Sequence, residues 1–553
     1  MFYYKGYESR VAECGEEKRN DSKRPVRDTL SRRGYAASCV RDHARGMEGT
    51  GDGENERMIF ACTDELCSTT VEGDERVWKC PNCGKSMKEV KEEDLKGVQW
   101  SELGIFWRDK KSKEADERAF ECFKNAAKAG DACGISNLGL CYEHGYGTQI
   151  DEKQAYWLYK QAVEYEYVPA YCHLGDCYGF GLGTGKNVEL AFENYMIAAD
   201  SGYVPAELRV GRAYELGQGV ERNAKEAFKW YRYAALAEEP QGYLELGMCY
   251  RFGKGVDEDP ETSAKWFKKA AQVGSAEGML RYGVCLALGY GVEKDVKAAA
   301  DMYQMAGDYG DALGYVNLST YYMSGIGVEE NQEKAIELAR RAVAMGSSEG
   351  NRLMGIYYWN GQGVEENLEQ SARYFLTAAE MGNPACMDHV GWLYMKGKGV
   401  ERDYKKAFMW YQRSAVMGSD YALIQLGECY LKGLGTEQDV EKGLELVKKG
   451  AEDENDFAMF LYGECLERGI GTDVDFDQAL ELYKKAAEKG GEEGLYRMAL
   501  LYSEGHGVEK DMDKAKECCM KVREDLTYSD TCVFEEDWKQ AMEALLENLR
   551  RAE

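Results

Sequence analysis

Leu138-Gly139-Leu140-Cys141-Tyr142-Glu143-His144-Gly145-Tyr146-Gly147-Thr148 is repeated along most of the chain. The same order of a small residue, an aromatic residue and a Gly-x-Gly returns every 36 residues without a change of register. A degenerate further copy begins at Leu103-Gly104. A fixed period of this length is typical of a solenoid built from supersecondary units. The small residue of the eleven clear copies lies at positions 139, 175, 211, 247, 283, 319, 355, 391, 427, 463 and 499.

The small residue indicates a close contact between helices. Gly inside a helix costs about 1 kcal/mol relative to Ala, so packing has to recover that free energy. We therefore expect a facing helix to approach closely at this point. We call the set of equivalent positions, one from each repeat, a column. The column expected to face the small residue is also made of small residues, which are Ala155, Ala191, Ala227, Ser263, Ala299, Ala335, Ser371, Ala407, Gly443, Ala479 and Ala515.

The connection between the two helices can also be read from the repeat. Gly145-x-Gly147 and its equivalents should end the first helix, because Gly adopts left-handed backbone angles most easily. Four residues later comes Asp or Asn, the preferred N-cap of a second helix. These predicted caps are Asp151, Asn187, Asn223, Asp259, Asp295, Asn331, Asn367, Asp403, Asp439, Asp475 and Asp511.

A single helix–turn–helix unit cannot bury its apolar face alone, whereas stacked copies share one core. The sequence therefore predicts an all-α fold, a right-handed α–α superhelix (solenoid) of about twelve repeats of 36 residues over 97–525. Residues 526–553 read as a final amphipathic helix that covers the last repeat.

The repeat resembles the Sel-one-like repeat family, a relative of the tetratricopeptide repeats. Val390-Gly391-Trp392-Leu393-Tyr394-Met395-Lys396-Gly397-Lys398-Gly399-Val400 matches the first half of the family pattern, and Asp403-Tyr404-Lys405-Lys406-Ala407-Phe408-Met409-Trp410-Tyr411 continues it. The resemblance implies a scaffold or adaptor that binds protein or peptide partners. Some secreted members have a disulfide in each repeat and a few act on β-lactams, so the resemblance leaves a β-lactam or amide hydrolase as an alternative.

The cysteines of the repeats depart from that disulfide-rich branch. Cys141, Cys177, Cys249, Cys285, Cys429 and Cys465 occupy one column, one per repeat. Equivalent positions of adjacent repeats should be too far apart for a disulfide. We interpret these residues as small buried thiols. Pairing of Cys133 with Cys141 on oxidation remains an alternative.

The amino-terminal part contains a different motif. Residues 58–90 hold Cys62 and Cys67, followed by the knuckle-like Cys80-Pro81-Asn82-Cys83-Gly84. Four thiolates supply a closed tetrahedral site, so we predict a zinc-ribbon-like segment with one structural zinc ion on Cys62, Cys67, Cys80 and Cys83. Two unrelated cysteine pairs are the alternative. Residues 1–57 are predicted to be a disordered leader, or a segment upstream of a translation start at Met58.

Charge and hydropathy argue against two classes of function, nucleic-acid binding and membrane insertion. The 553 residues carry a net charge of −28, and such an acidic protein repels nucleic-acid phosphates. A zinc-ribbon nucleic-acid factor therefore remains only an alternative. No stretch approaches the roughly 20 apolar residues that span a bilayer, and no signal-peptide pattern opens the chain, so a cytoplasmic location is expected. The five histidines are scattered over different columns and indicate no catalytic site.

A binding face is predicted on the first helices, which line the concave surface in helical solenoids. The column of His144 is apolar in the early repeats and charged in the late ones. Together with nearby arginines it suits an acidic or amphipathic peptide segment. The alternative is that this column packs against the neighbouring repeat. The predicted groove residues are Phe180, Arg209, Arg212, Leu216, Phe252, Arg281 and Leu288.

Overall fold

The computed structural model of the protein describes residues 58–62, 70–73, 87–90, 95–525, 544, 545 and 547. From Gly97 to Asp525 these residues form twelve helical hairpins, which confirms the prediction of a helical repeat solenoid. The first helices of the hairpins are α1 Gly97–Arg108, α3 Ala132–His144, α5 Val168–Phe180, α7 Val204–Leu216, α9 Pro240–Phe252, α11 Ala276–Leu288, α13 Ala312–Ser324, α15 Ser348–Asn360, α17 Pro384–Lys396, α19 Asp420–Lys432, α21 Asp456–Arg468 and α23 Glu492–Glu504.

The second helices follow them in alternation. They are α2 Lys113–Lys128, α4 Glu152–Glu164, α6 Val188–Asp200, α8 Ala224–Leu236, α10 Pro260–Gln272, α12 Val296–Asp308, α14 Gln332–Ala344, α16 Leu368–Glu380, α18 Tyr404–Val416, α20 Val440–Glu452, α22 Phe476–Glu488 and α24 Met512–Asp525. The chain divides into two compact units. One holds the described residues up to Ala206 and 218–220, and the other holds 207–217 and the described residues from Glu221 onward.

The turn between the two helices forms as the sequence predicts. Gly253 ends α9 with φ +64°, and its N–H donates to the carbonyl of Cys249. Asp259 then caps α10, because its carboxylate accepts from the Thr262 N–H at 2.9 Å. All eleven predicted Asp or Asn caps accept a hydrogen bond from the first turn of their second helix.

The glycine of the first helix is covered by an aromatic ring. A Cβ atom at Gly247 would lie 2.5 Å from the ring of Phe267, which is fully buried. The close approach is thus confirmed, but the atoms that make it belong to a side chain four residues after the predicted small column. In one repeat Ser319 replaces the glycine, and there Ala339 replaces the aromatic residue. The larger residue at the glycine position thus occurs where the ring is absent. The same arrangement recurs with Tyr159, Tyr195, Tyr231, Tyr303, Phe375, Tyr411 and Tyr483.

The second glycine of most Gly-x-Gly turns has a role that the sequence did not indicate. A Cβ at Gly435 would collide with the carbonyl of Tyr404, the first residue of α18 in the preceding repeat. Gly255 stands in the same relation to Ala224 at the start of α8. Successive repeats therefore touch backbone to backbone at this glycine. Close by, the ring of Tyr430 packs edge-on against Phe408 of α18, with centroids 5.4 Å apart.

The column cysteines are small buried thiols, as predicted, and all twelve described cysteines are free. Burial raises the pKa of Cys141, Cys177, Cys249 and Cys429 to about 12. Cys133 is also free, so it does not pair with Cys141 here. Thiolate, which is the reactive form, is therefore scarce in this column at neutral pH.

This burial predicts slow alkylation. Iodoacetamide at pH 8 should label Cys141, Cys177, Cys249 and Cys429 of the folded protein roughly 10³-fold more slowly than in the unfolded chain, because a pKa of about 12 leaves little thiolate. Peptide mass spectrometry after timed labelling, with a urea-unfolded sample as the reference, measures the ratio. Equal labelling rates in the two samples would show that the column is open to solvent.

Three short strands precede the helices: β1 Met58–Cys62, β2 Thr70–Gly73 and β3 Met87–Val90. They form one antiparallel sheet in the order β2-β1-β3, and β2 contacts α1. Residues 1–57, the remaining residues of 58–90, and the side chain of Cys62 lie outside the described part. The zinc site therefore stays a prediction.

The predicted C-terminal helix at 526–553 falls almost entirely outside the described residues. Leu545 is described, and it packs against the buried cluster of the last repeat. That cluster contains Leu495, Ala499, Ala515, Cys518 and Cys519. This contact agrees with a C-terminal cap over the final hairpin, and the extent of the cap stays a prediction.

Candidate protein-binding face

Four of the predicted groove residues end their first helices. Phe180 ends α5 in one unit, and Leu216, Phe252 and Leu288 end α7, α9 and α11 in the other. The residue that follows each is a glycine with positive φ, so the chain turns away directly after the side chain. Exposed fractions are 68% for Phe180, 51% for Leu216, 47% for Phe252 and 61% for Leu288. These side chains are therefore not packed into the neighbouring repeat.

The same column changes character along the second unit. After Leu288 it becomes polar and then charged, and two of the charged members, Lys432 and Arg468, are paired within their own helices. Lys432 lies 2.8 Å from Glu428, and Arg468 lies 3.0 Å from Glu464. The apolar-to-charged gradient seen in the sequence is thus a property of the surface. The later members are Ser324, Asn360, Lys396, Lys432, Arg468 and Glu504.

Arg209 and Arg212 are exposed whereas Arg281 is partly buried, so the predicted arginines are not equivalent. Arg209 and Arg212 lie on α7. Arg281 of α11 donates to Glu277 one turn earlier, at 3.1 and 3.3 Å. Its charge is therefore already matched within the helix, which makes it a weaker anchor for an acidic partner than the sequence suggested.

Three residues around Phe252 were missed in the sequence. The guanidinium of Arg251 lies 4.9 Å from the ring centroid of Tyr290 and 5.7 Å from the ring centroid of Phe252. Lys254 places its ammonium 5.9 Å from the same Phe252 ring. A signal did exist, because Arg251 is the one cation in a column that otherwise reads Glu143, Gly179, Glu215, Ala287, Met323, Trp359, Met395, Leu431, Glu467 and Ser503.

Glu215 links this region to the core. Its carboxylate accepts from the buried Tyr231 hydroxyl at 2.8 Å and from Lys254 at 2.5 Å. Burial alone would raise the pKa of Glu215, but the hydrogen bonds from Lys254 and Tyr231 hold it below its ordinary value. The carboxylate therefore stays ionised and fixes Lys254 beside Phe252.

The described histidines do not come together. His173 stacks on Tyr159 with centroids 5.0 Å apart, and His144 lies beside Tyr146 at 5.3 Å. His389 packs against Phe375, and burial lowers the pKa of His389 to about 4, so it is neutral at pH 7. His506 lies next to Glu504 at 3.1 Å.

Metal and membrane sites can be judged only for the described residues. Within them no group of three or more His, Cys, Asp or Glu side chains is placed to hold a metal ion. Cys67, Cys80, Cys83 and the side chain of Cys62 lie outside that part of the chain. The described helices include none with the length and apolarity needed to cross a membrane.

Comparison with known proteins agrees with the hairpin geometry. The Sel1 repeat matches twelve segments between residues 110 and 519, namely 110–131, 134–164, 168–203, 204–238, 240–275, 276–311, 312–347, 348–383, 384–419, 420–455, 456–491 and 492–519. The chain belongs to the Sel1 repeat family. Sel1 solenoids, like other tetratricopeptide-type repeats, generally mediate protein–protein interactions. No curated protein matches the chain.

Several solved structures are similar to this Sel1 protein. The protective antigen c5321 of uropathogenic Escherichia coli, described as an SLR fold, is 28% identical over 78% of this chain and 94% of its own, with a TM-score of 0.45. A Sel1 repeat protein of Oxalobacter formigenes is 24% identical over 62% of this chain and 96% of its own, with a TM-score of 0.40. Cysteine rich protein B of Helicobacter pylori is 26% identical over 23% and 92%, with a TM-score of 0.21. The hydrolase and nucleic-acid alternatives gain no support from these comparisons.

Proposed function

We propose that this Sel1 protein is a scaffold whose first-helix face binds an amphipathic segment of a partner protein. The observation that carries the proposal is the exposure of Leu216, Phe252 and Leu288 at the ends of three consecutive first helices. Exposed apolar side chains beside cations are typical anchors of a peptide-binding surface. In helical solenoids the surface formed by the first helices is the usual binding surface.

The spacing of these anchors suits a helical partner. α9 and α11 contact each other, and packed helices lie about 8–10 Å apart. An α-helix rises 1.5 Å per residue, so its residues i and i+7 are about 10.5 Å apart on one face. A partner helix with apolar residues at i, i+7 and i+14 would therefore place one of them against each anchor. Each square ångström of apolar surface that such a partner removes from water contributes about 25 cal/mol to the free energy of binding.

Replacing Leu216, Phe252 and Leu288 together by Asp should abolish partner capture without unfolding the array. All three side chains are about half exposed or more, and substitutions at exposed sites usually change stability by within about 0.5 kcal/mol each. Capture by immobilised full-length protein, followed by mass spectrometry, measures the loss, and a thermal melt checks the fold.

A matched control lies directly after three second helices of the same unit, at their C-cap residues. Val273, Met345 and Met417 are exposed by 50, 41 and 58%, close to the values of the three anchors. Changing these three to Asp adds the same charge and replaces apolar side chains that are exposed to a similar degree. The control should capture the same partners as the native protein. Loss of a partner in the control alone, or equal loss in both variants, would contradict the proposed face.

We also propose that the amino-terminal sheet organises a structural zinc site. In β1, Cys62 pairs with Met87 of β3, and Ala61 pairs with Thr70 of β2. The connection that contains Cys67 therefore starts and ends at the Cys62 end of the sheet. Cys83 precedes Met87 by four residues, which span at most about 14 Å, so we expect Cys83 to lie near the same end of the sheet. Four thiolates at one end are the donors that a tetrahedral zinc site requires.

The zinc proposal predicts one zinc ion per chain. Elemental analysis of the purified protein should give a zinc-to-protein ratio near one, and the Cys80→Ser, Cys83→Ser double variant should lose the metal. The Cys141→Ser variant is the control, because its thiol is buried in the array. A full zinc content in the double variant would rule out this ligand set.

A further inference from the structure

Arg251 differs from the neighbouring cations in the groups that its side chain contacts. Lys254 pairs with Glu215, and Arg281 pairs with Glu277. The Arg251 side chain lies against the rings of Phe252 and Tyr290, and the described part of the chain shows no ion pair between it and a carboxylate. The Arg251 guanidinium is half-buried in a protein with 98 acidic residues, and it rests on aromatic rings.

The surroundings hold this guanidinium in place. Tyr290 lies between the two glycines of the next turn, and its hydroxyl lies 3.2 Å from both the Arg251 carbonyl and the Glu258 carboxylate, which share its one proton. These bonds fix the ring on which the guanidinium rests. Stacking uses the face of a guanidinium and leaves its N–H edge for hydrogen bonds. Phe252, about half exposed, borders the same spot.

We infer that Arg251 and Phe252 form a site for an aspartate or glutamate side chain of the bound segment, next to one of its apolar residues. This inference rests on the proposed scaffold function and names the partner chemistry more narrowly. The planar guanidinium matches a carboxylate with two parallel N–H···O bonds. Apolar neighbours strengthen such a pair because they exclude water from it. Arg251 would thus select the acidic residue, while Leu216, Phe252 and Leu288 hold the apolar residues.

A random library of displayed 16-residue peptides, panned on the full chain, tests the inference without a known partner. We expect the native protein to enrich peptides with an acidic residue at a fixed distance from large apolar residues. The Arg251→Glu variant should lose this preference and favour Lys or Arg at the same place. The Arg373→Glu variant is the matched control, because Arg373 is an exposed arginine of a second helix paired with Glu369, and it should enrich the native motif.

Synthetic peptides from the enriched set identify the source of the carboxylate. Changing the acidic residue to its amide should weaken binding to the native protein about 10- to 100-fold, the usual range for a hydrogen bond to a charged group. The Arg251→Gln variant, with an unchanged thermal melt, should bind the acid and amide peptides equally. Amidation of the peptide terminus should have no effect. Binding that depends on the free terminus and ignores the side-chain change would overturn the side-chain assignment.

The outcomes separate this inference from the scaffold proposal. An enriched apolar motif without an acidic position, or an acidic preference retained by the Arg251→Glu variant, would overturn the role of Arg251 and leave the scaffold standing. No enrichment by the native protein would overturn both. An acidic preference that reverses with the charge of residue 251 would establish the site.

Discussion

Replacing Gly435 by Ala should destabilise the array by about 2–5 kcal/mol, a large effect for a single methyl group. A non-glycine residue with positive φ costs about 1–2 kcal/mol, and the overpacking adds about 1–3 kcal/mol. The new Cβ would collide with the main-chain carbonyl of Tyr404, which cannot rotate aside. Urea denaturation followed by circular dichroism measures the loss, and hydrogen exchange should place it at the junction of α18 with the next repeat.

The other glycine of the same turn is the matched control. Gly433 has φ +66°, similar to the +75° of Gly435, but a Cβ there would meet nothing closer than the Gln438 Cβ at 3.4 Å. Gly433→Ala should therefore cost only the backbone term, about 1–2 kcal/mol. Equal losses at the two positions would show that the contact between repeats contributes nothing.

Gly247 and Phe267 should behave as one unit in a double-mutant cycle. Phe267→Ala should cost about 3–5 kcal/mol through the cavity it leaves, and Gly247→Ser about 1–3 kcal/mol through overpacking. In the double variant the serine side chain enters the space that the ring vacates. The combined loss should then be smaller than the sum by about 0.5–3 kcal/mol, the range found for residues in contact.

The chain itself contains the combination that this cycle would build. Ser319 replaces the glycine where Ala339 replaces the ring, and its hydroxyl donates to the Ala335 carbonyl at 2.6 Å. Thermal and urea unfolding of the four proteins give the interaction free energy. Losses that simply add, within about 0.5 kcal/mol, would mean that the ring and the glycine are not packed against each other.

The helices and their ends were predictable because local chemistry decides them. A cap such as Asp259 acts on an N–H three residues away, and a left-handed glycine such as Gly253 acts on its own turn. Repetition also makes the pattern clearer, because each position of the repeat can be compared in eleven copies. The hairpin, its caps and the buried thiols could therefore be read from the sequence.

Contacts that depend on distant atoms could not be read in this way. Gly435 meets a carbonyl 31 residues earlier, and nothing in the turn distinguishes it from Gly433. Arg251 rests on Tyr290, 39 residues later. The pairing of Arg281 with Glu277 is different, because a spacing of four residues on a helix already indicates it. The column of groove residues and the pairing of Arg281 could be predicted from the sequence, whereas the contact of Arg251 with Tyr290 required the structure.

Site-specific photo-cross-linking tests the binding face most directly. A cross-linking phenylalanine analogue is placed in the full chain at position 252 or at position 345, where Phe252 and Met345 are exposed to similar degrees, 47 and 41%. The scaffold account predicts that irradiation in the native host yields a defined protein adduct from position 252, through an apolar segment of the partner, and no such adduct from position 345. Adducts from position 345 alone, or the same adducts from both positions, would contradict it.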